Sequence, residues 1–186
     1  MLPLTDDRLT LRPIHAADAE PLYLAARESL TDLIPWMTWA HEGYSLPEME
    51  HYTRFATDGW AAGTLHVFTI LDRFEGTVLG VTSLSNINPA YRYCNLGYWI
   101  RTSRRGQGLA GRAARLIARY GIEQVSLQRI EIVVSVDNLA SQRVAEKCGA
   151  HREGILRNRI PVHGGMADAV MYSFIPADFG LPSPSE

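Results

Sequence analysis

"RTSRRGQGLAGRAARLIARYG", residues 101–121, is the stretch on which the fold turns. Within it, Gly106-Gln107-Gly108-Leu109-Ala110-Gly111 satisfies the G-x-G-x-x-G fingerprint of dinucleotide-binding enzymes. Read from Arg105, the letters R-G-Q-G-L-A satisfy a second pattern, R/Q-x-x-G-x-G/A, equally well. The surroundings decide between the two. A dinucleotide fold places its glycines at the end of a buried parallel strand and an acidic residue at the end of a second strand about 20 positions later. "VVSVD" does end in Asp137, but the strand before the glycines, "CNLGYWI", is aromatic and polar, and residues 101–105 intervene. Only 75 residues follow Gly111, too few for the remaining strands of that fold. The phosphate loop G-x-x-x-x-G-K-[ST] fails as well, because Arg112 replaces its lysine and Ala113 its hydroxyl.

What survives is general physics. A glycine turn lets backbone approach a ligand, and the free amides and dipole of a helix start attract an anion. A pyrophosphate suits that position, and Arg101, Arg104 and Arg105 add charge where a further phosphate could sit. A glycine turn with solvated arginines is the plainer alternative. Downstream, Leu109, Ala113, Leu116, Ile117 and Tyr120 share one helical face and Arg112, Arg115 and Arg119 another, which predicts an amphipathic helix over 108–122.

Working outward, "RLTLRPI" (8–14) alternates in period two and predicts a strand, with Asp18 and Pro21 opening a helix through Leu30. Ser45 and Glu48 have capping-box spacing for a second helix ending at Gly63. "TLHVFTIL", "TVLGVTSLSNI" and "YRYCNLGYWI" read as an antiparallel meander. "QRIEIVVSV" is the next strand, Asn138 caps a short helix through Cys148, and two strands near 151–160 and 167–175 close the chain. "VHGGMADA" (162–169) reads as their link and a possible wall of the site. One domain over 1–178 is expected, with 179–186 a flexible tail.

At 186 residues, 46 % apolar and 20 % charged, the composition is that of a globular protein, and a net charge of −2 gives no reason to expect nucleic acid. No apolar run approaches a membrane span, and the start lacks a signal-peptide pattern, so a cytoplasmic protein is expected. Cys94 and Cys148 form no C-x-x-C pair and the six histidines no H-E-x-x-H motif, so no bound metal is expected. A monomer and a homodimer fit equally well.

Five pieces, "RLTLRPIHAADAEPLY", "LGYWI", "RRGQGLAGRAARLIARYG", "RIEIVVSVDNLASQRVAEKCGA" and "REGILRN", give the chain its resemblance to the GNAT N-acetyltransferases, in particular the group of ribosomal-protein N-terminal acetyltransferases RimJ and RimL. The resemblance covers almost the whole chain. It implies a mixed α/β fold in which a mostly antiparallel, twisted sheet of about seven strands, flanked by helices, splays into a V. Acetyl-coenzyme A would lie in that opening, between the strands at 94–101 and 129–137. The amides of Arg105, Gly106, Gln107, Gly108, Leu109 and Ala110 would hold its pyrophosphate. Backbone near Ile100 and Arg101 would pair with its pantetheine, an amide there polarising the thioester, and Asn138 would contact the pantetheine side.

Acetyl transfer to an amine needs a neutral nucleophile and a proton for the departing thiolate. Ser141 matches a serine that in RimL-type relatives is thought to donate that proton. Those relatives often carry a glutamate two residues before the Gly-Tyr-Trp of the strand, where this chain has Asn95. An amide takes no proton at neutral pH, so the base is another group, with Glu131 on the neighbouring strand a candidate, or is dispensable. Trp36, Trp39 and Tyr44 fall where the family forms its acceptor opening. Acetylation of a protein N-terminus, such as that of a ribosomal protein, is the function implied. A small-molecule amine or antibiotic acetyltransferase and a non-catalytic acyl-coenzyme A sensor stay open as alternatives.

Overall fold

The computed structural model describes residues 3–182. A single sheet organises them. Its strands are β1 (Leu4–Thr5), β2 (Leu9–Pro13), β3 (His66–Asp72), β4 (Val78–Asn88), β5 (Tyr93–Ile100), β6 (Arg129–Ser135), β7 (His151–Val162) and β8 (Gly165–Phe174). Their order is β1-β2-β3-β4-β5-β6-β8-β7, one strand more than the seven expected because two-residue β1 carries no periodicity to detect. All pairings are antiparallel except β5 with β6. That parallel pairing runs only from Tyr93 with Arg129 to Asn95 with Glu131, beyond which the strands part and form the V.

Four helices cover the two faces. On one side lie α1 (Ala19–Leu33) and α2 (Leu46–Ala62), which bury Leu22, Ala25, Ala26, Met49 and Ala56 against Val67, Val81 and Trp99. On the other lie α3 (Leu109–Glu123) and α4 (Leu139–Lys147), with Leu109, Ala113, Ile117 and Ala145 against Phe68, Leu84, Leu96, Ile130 and Ile132. Fully burying one such Ile or Leu contributes roughly 1.5–3 kcal/mol. Period two in β5 sends Leu96, Tyr98 and Ile100 toward α3 and α4, and Trp99 toward α1 and α2.

The local signals act as their chemistry requires. Glu48 accepts from Ser45 N–H (2.9 Å) and Oγ–H (2.6 Å) at the start of α2, which ends at Gly63. Asn138 Oδ1 accepts from Ser141 N–H at 3.0 Å and starts α4. Helix α1 continues three residues past Leu30, to Leu33, because that last turn is packed against the sheet. The arginine stripe of α3 is engaged: Arg112 pairs with Asp6 and Asp7, Arg115 donates to Cys148 O (3.0 Å), and Arg115 and Arg119 cover the Phe179 ring.

Two boundaries differ from expectation. "VHGGMADA" is mostly strand, with β7 running to Val162 and β8 beginning at Gly165, so the link is His163-Gly164 alone. The predicted tail begins inside packed structure: the Phe179 ring packs against Phe174, tilted by 40° at 5.5 Å, and Leu181 N–H donates to Pro176 O. Residues 183–186 of that tail lie outside the described residues. No helix among the described residues is long and apolar enough to cross a membrane.

Candidate active site

Three connected hollows converge on Tyr98. The first is a groove of about 410 Å³ over the start of α3, lined by Ile100, Arg104, Arg105, Gly106, Gly108, Leu109, Ala110, Asn138, Ser141, Arg143 and Lys147, among others. The second, of about 290 Å³, is the V itself, between Asn95–Tyr98 and Ile132–Ser135, with Ile160, Pro161 and Val162 of β7 as its far wall. The third, of about 670 Å³, opens on the α1/α2 face. Tyr98 and Met37 line all three.

The groove is built of backbone. Gly106 and Gly108 both have φ of +75°, a left-handed conformation that L side chains rarely adopt, and this bend turns the chain into α3. Arg112 N–H bonds back to Gly108 O at 3.2 Å, and among the described residues the amides of residues 106–111 have no backbone acceptor. These donors sit at the positive end of the α3 dipole, as an anion requires.

The arginines before them have other work. Arg101 pairs with Glu28, Arg104 with Glu75 and Asp72, and Arg105 with Asp32. The Arg101 guanidinium and the Ser103 amide hold the Glu28 carboxyl down to about 2 despite its partial burial. Thr102 adds bonds from its amide to Ser29 Oγ (3.0 Å) and from Oγ1 to Asp32 (2.5 Å). The loop is therefore stapled to the last turns of α1. Arg143 and Lys147 line the groove on its α4 side without a carboxylate partner among the described residues, and they supply its uncommitted positive charge.

Arg101 has its main chain and side chain committed to other partners. Its N–H donates to Leu79 O (2.7 Å), and its side chain turns to Glu28 and Val78 O, outside the groove. Since antiparallel pairing alternates, that bond implies that Gly97 and Trp99 also direct their main chain to β4, whereas Tyr98 and Ile100 direct theirs into the V. The free edge for an extended ligand is thus Tyr98 and Ile100. Gln107 is exposed, its Oε1 accepting from Arg8 at 3.4 Å.

At the meeting point, Tyr98 Oη lies 3.0 Å from Ser141 Oγ and 3.2 Å from Ser141 O. Burial pushes the phenol well above its ordinary range, so it stays protonated. When the phenol donates to Ser141 Oγ, the serine proton is free to point into the opening. Nothing in the sequence alone paired these residues, yet the strand parity of "LGYWI" already aimed Tyr98 at α4.

Glu131 is not brought to the opening. Its carboxylate accepts from Arg129 Nε at 2.8 Å, and the same guanidinium holds Glu153 through two bonds of 2.6 Å. Asn95 does line the V, at the last pairing position of the parallel joint. Trp39 lies between the V and the large cavity and packs on Tyr44 (5.1 Å) and Trp99 (6.2 Å). Trp36 lines the groove and the V instead of the large cavity. Sequence reasoning missed His41, Glu48, Tyr52 and Phe55 of that cavity: Glu48 had been explained by its cap alone. Glu48 also accepts from His41 Nε2 at 2.8 Å, and its bonds to Ser45, then His41, lower its pKa.

Comparison with known proteins agrees with this geometry. The profile of the acetyltransferase (GNAT) domain matches residues 8–151. The Escherichia coli [ribosomal protein uS5]-alanine N-acetyltransferase is 26 % identical over 188 residues, covering 95 % of this chain and 92 % of its own length. The ribosomal-protein-serine acetyltransferase of the same organism is 28 % identical over 145 residues, 74 % of this chain and 80 % of its own. In fold, RimL, a ribosomal L7/L12 α-N-protein acetyltransferase solved with coenzyme A, superposes with a TM-score of 0.86 at 22 % identity, over 94 % of this chain and 98 % of that one. With a glycine-turned helix start, a V between parallel strands and three quarters of its length matched by one domain profile, the chain belongs to the GNAT acetyltransferases.

Proposed function

We propose that this protein transfers the acetyl group of acetyl-coenzyme A to a primary amine, and that the amine is the N-terminal α-amine of a protein such as a ribosomal protein. The observation that carries the reading is the Tyr98–Ser141 hydroxyl pair, 3.0 Å apart, where the groove, the V and the large cavity meet. The groove fits the cosubstrate: its unpaired amides at residues 106–110 suit a pyrophosphate, and the free edge at Tyr98 and Ile100 suits the amides of pantetheine. Asn138 borders the same path.

In the reaction the amine nitrogen forms a bond to the acetyl carbon, the carbon–sulfur bond breaks, and one proton leaves the nitrogen while one reaches the sulfur. Ser141 Oγ donates its proton toward the sulfur while the Tyr98 hydroxyl, still protonated, donates to Oγ and stabilises the negative charge left there; the proton shed by the nitrogen passes to solvent, from which Ser141 is re-protonated. Tyr98 N–H, on the free edge, is the donor available to the thioester oxygen. Asn95 supplies no base, so the site suits an amine already partly neutral. An α-amine near 8 is neutral about one time in ten at pH 7, a lysine near 10.4 about once in a few thousand. Ribosomal-protein acetyltransferases among its relatives support the same acceptor. A small-molecule amine is the second reading, favoured by the partly enclosed aromatic cavity of about 670 Å³. Thiol release from acetyl-coenzyme A on addition of peptides, with mass-spectrometric location of the acetyl group, tests the proposal. Release that no amine stimulates would refute turnover and leave an acyl-coenzyme A sensor.

A further inference from the structure

The large cavity on the α1/α2 face carries an inference about the acceptor itself. Its walls are Met37, Trp39, Tyr44, Met49, Tyr52, Phe55 and Trp99. Its depth comes from two small residues facing each other on the sheet, Ser83 of β4 and Gly97 of β5. A Cβ at Gly97 would find only Ser83 Oγ within 4 Å, at 3.5 Å, so the space directly above Gly97 is open. The rim is different in kind, with Glu48 in contact with His41, and with His51 beside them. No Lys or Arg lines the cavity. A volume of about 670 Å³ lies in the range of small-ligand pockets and far exceeds what an alanine or serine side chain occupies.

We infer that this cavity receives the side chain of the acceptor's first residue, and that the preferred acceptor is a peptide N-terminus beginning with a large apolar residue, Leu, Phe or Trp, in place of Ala or Ser. The inference rests on the proposed N-acetyltransferase reading and adds the substrate class to it. The cavity and the V share Met37, Thr38, Trp39, Gly97 and Tyr98, so an amine at that junction has its α-carbon substituent at the cavity's inner end. Apolar walls stabilise a large side chain there by removing its surface from water, and a small one leaves the aromatic walls wet.

The test uses the full chain and peptides identical except for residue 1: Ala, Ser, Leu, Phe and Trp. The Leu, Phe and Trp peptides are expected to exceed Ala and Ser by roughly 10- to 100-fold in kcat/KM. Ser83→Phe, which fills the cavity from its floor, should erase that difference while acetyl-coenzyme A still raises the melting temperature. Calorimetric titration with the same peptides, coenzyme A present, gives a binding measure independent of turnover. Equal or greater kcat/KM for the Ala and Ser peptides overturns the inference and leaves the proposed activity standing. Tight, selective binding of Leu, Phe and Trp peptides without thiol release keeps the inference and overturns the activity.

Discussion

Gly108 offers the sharpest test of the cosubstrate site, because its two effects separate. Its φ of +75° costs a residue with a side chain about 1–2 kcal/mol, and a Cβ there meets no atom within 4 Å, so strain is the whole penalty to the free protein. For a chain of this size that corresponds to a fall of roughly 2–8 °C in melting temperature for both Gly108→Ala and Gly108→Glu. The two variants then diverge. Acetyl-coenzyme A at one hundred times Kd should stabilise the native protein by about 2.7 kcal/mol, or roughly 5–10 °C. Gly108→Ala should keep a reduced part of this gain. Gly108→Glu should lose it, since a carboxylate then stands among the amides meant for phosphate. Thermal scans with and without ligand provide the assay, with NAD as the comparison ligand. A full ligand shift in Gly108→Glu, or a shift with NAD and none with acetyl-coenzyme A, would refute the assignment of these amides to a pyrophosphate.

Ser141→Ala and Tyr98→Phe should each lower kcat by about 10- to 10⁴-fold with the acetyl-coenzyme A Kd within a few-fold of native, as steady-state kinetics and binding titration would show. A peptide with a free N-terminus and an internal lysine should carry its acetyl on the α-nitrogen, with a rate that climbs toward the amine's pKa and then levels. Asn95→Glu, at the edge of the V, should raise the rate at pH 7. Glu28 and Glu153 are both held near 2, chiefly by Arg101 and Arg129, so their contribution to stability is complete above about pH 5 and disappears as pH falls through 2. Melting temperature should therefore drop across that window, and Glu153→Gln should make the drop shallower.

The glycine-led helix, the meander and the capping residues Ser45 and Asn138 could be read from the chain because each signal is local. Side-chain commitments could not. Arg101, Arg104 and Arg105 resemble phosphate ligands until their partners Glu28, Glu75 and Asp32, tens of positions away, come into view. Glu131, flanked by Ile130 and Ile132, has a facing the sequence leaves open, and it is claimed by Arg129, two residues back on the same face of the strand. The Tyr98–Ser141 contact spans 43 positions, and the large cavity draws on α2, whose sequence announces only a cap and an apolar face.

The brief parallel joint between β5 and β6 also bears on how the chain folds. It unites residues 36 positions apart, Tyr93 with Arg129, and the crossover through α3 has to be in place before it can close. The β3–β4–β5 meander and the β7–β8 hairpin close over shorter spans. The β3–β4–β5 meander and the β7–β8 hairpin should therefore gain protection in pulsed hydrogen exchange before the amides of Cys94 and Glu131, which face the joint. The same few main-chain bonds that let the strands part are thus ones that close only after the local hairpins on either side of them.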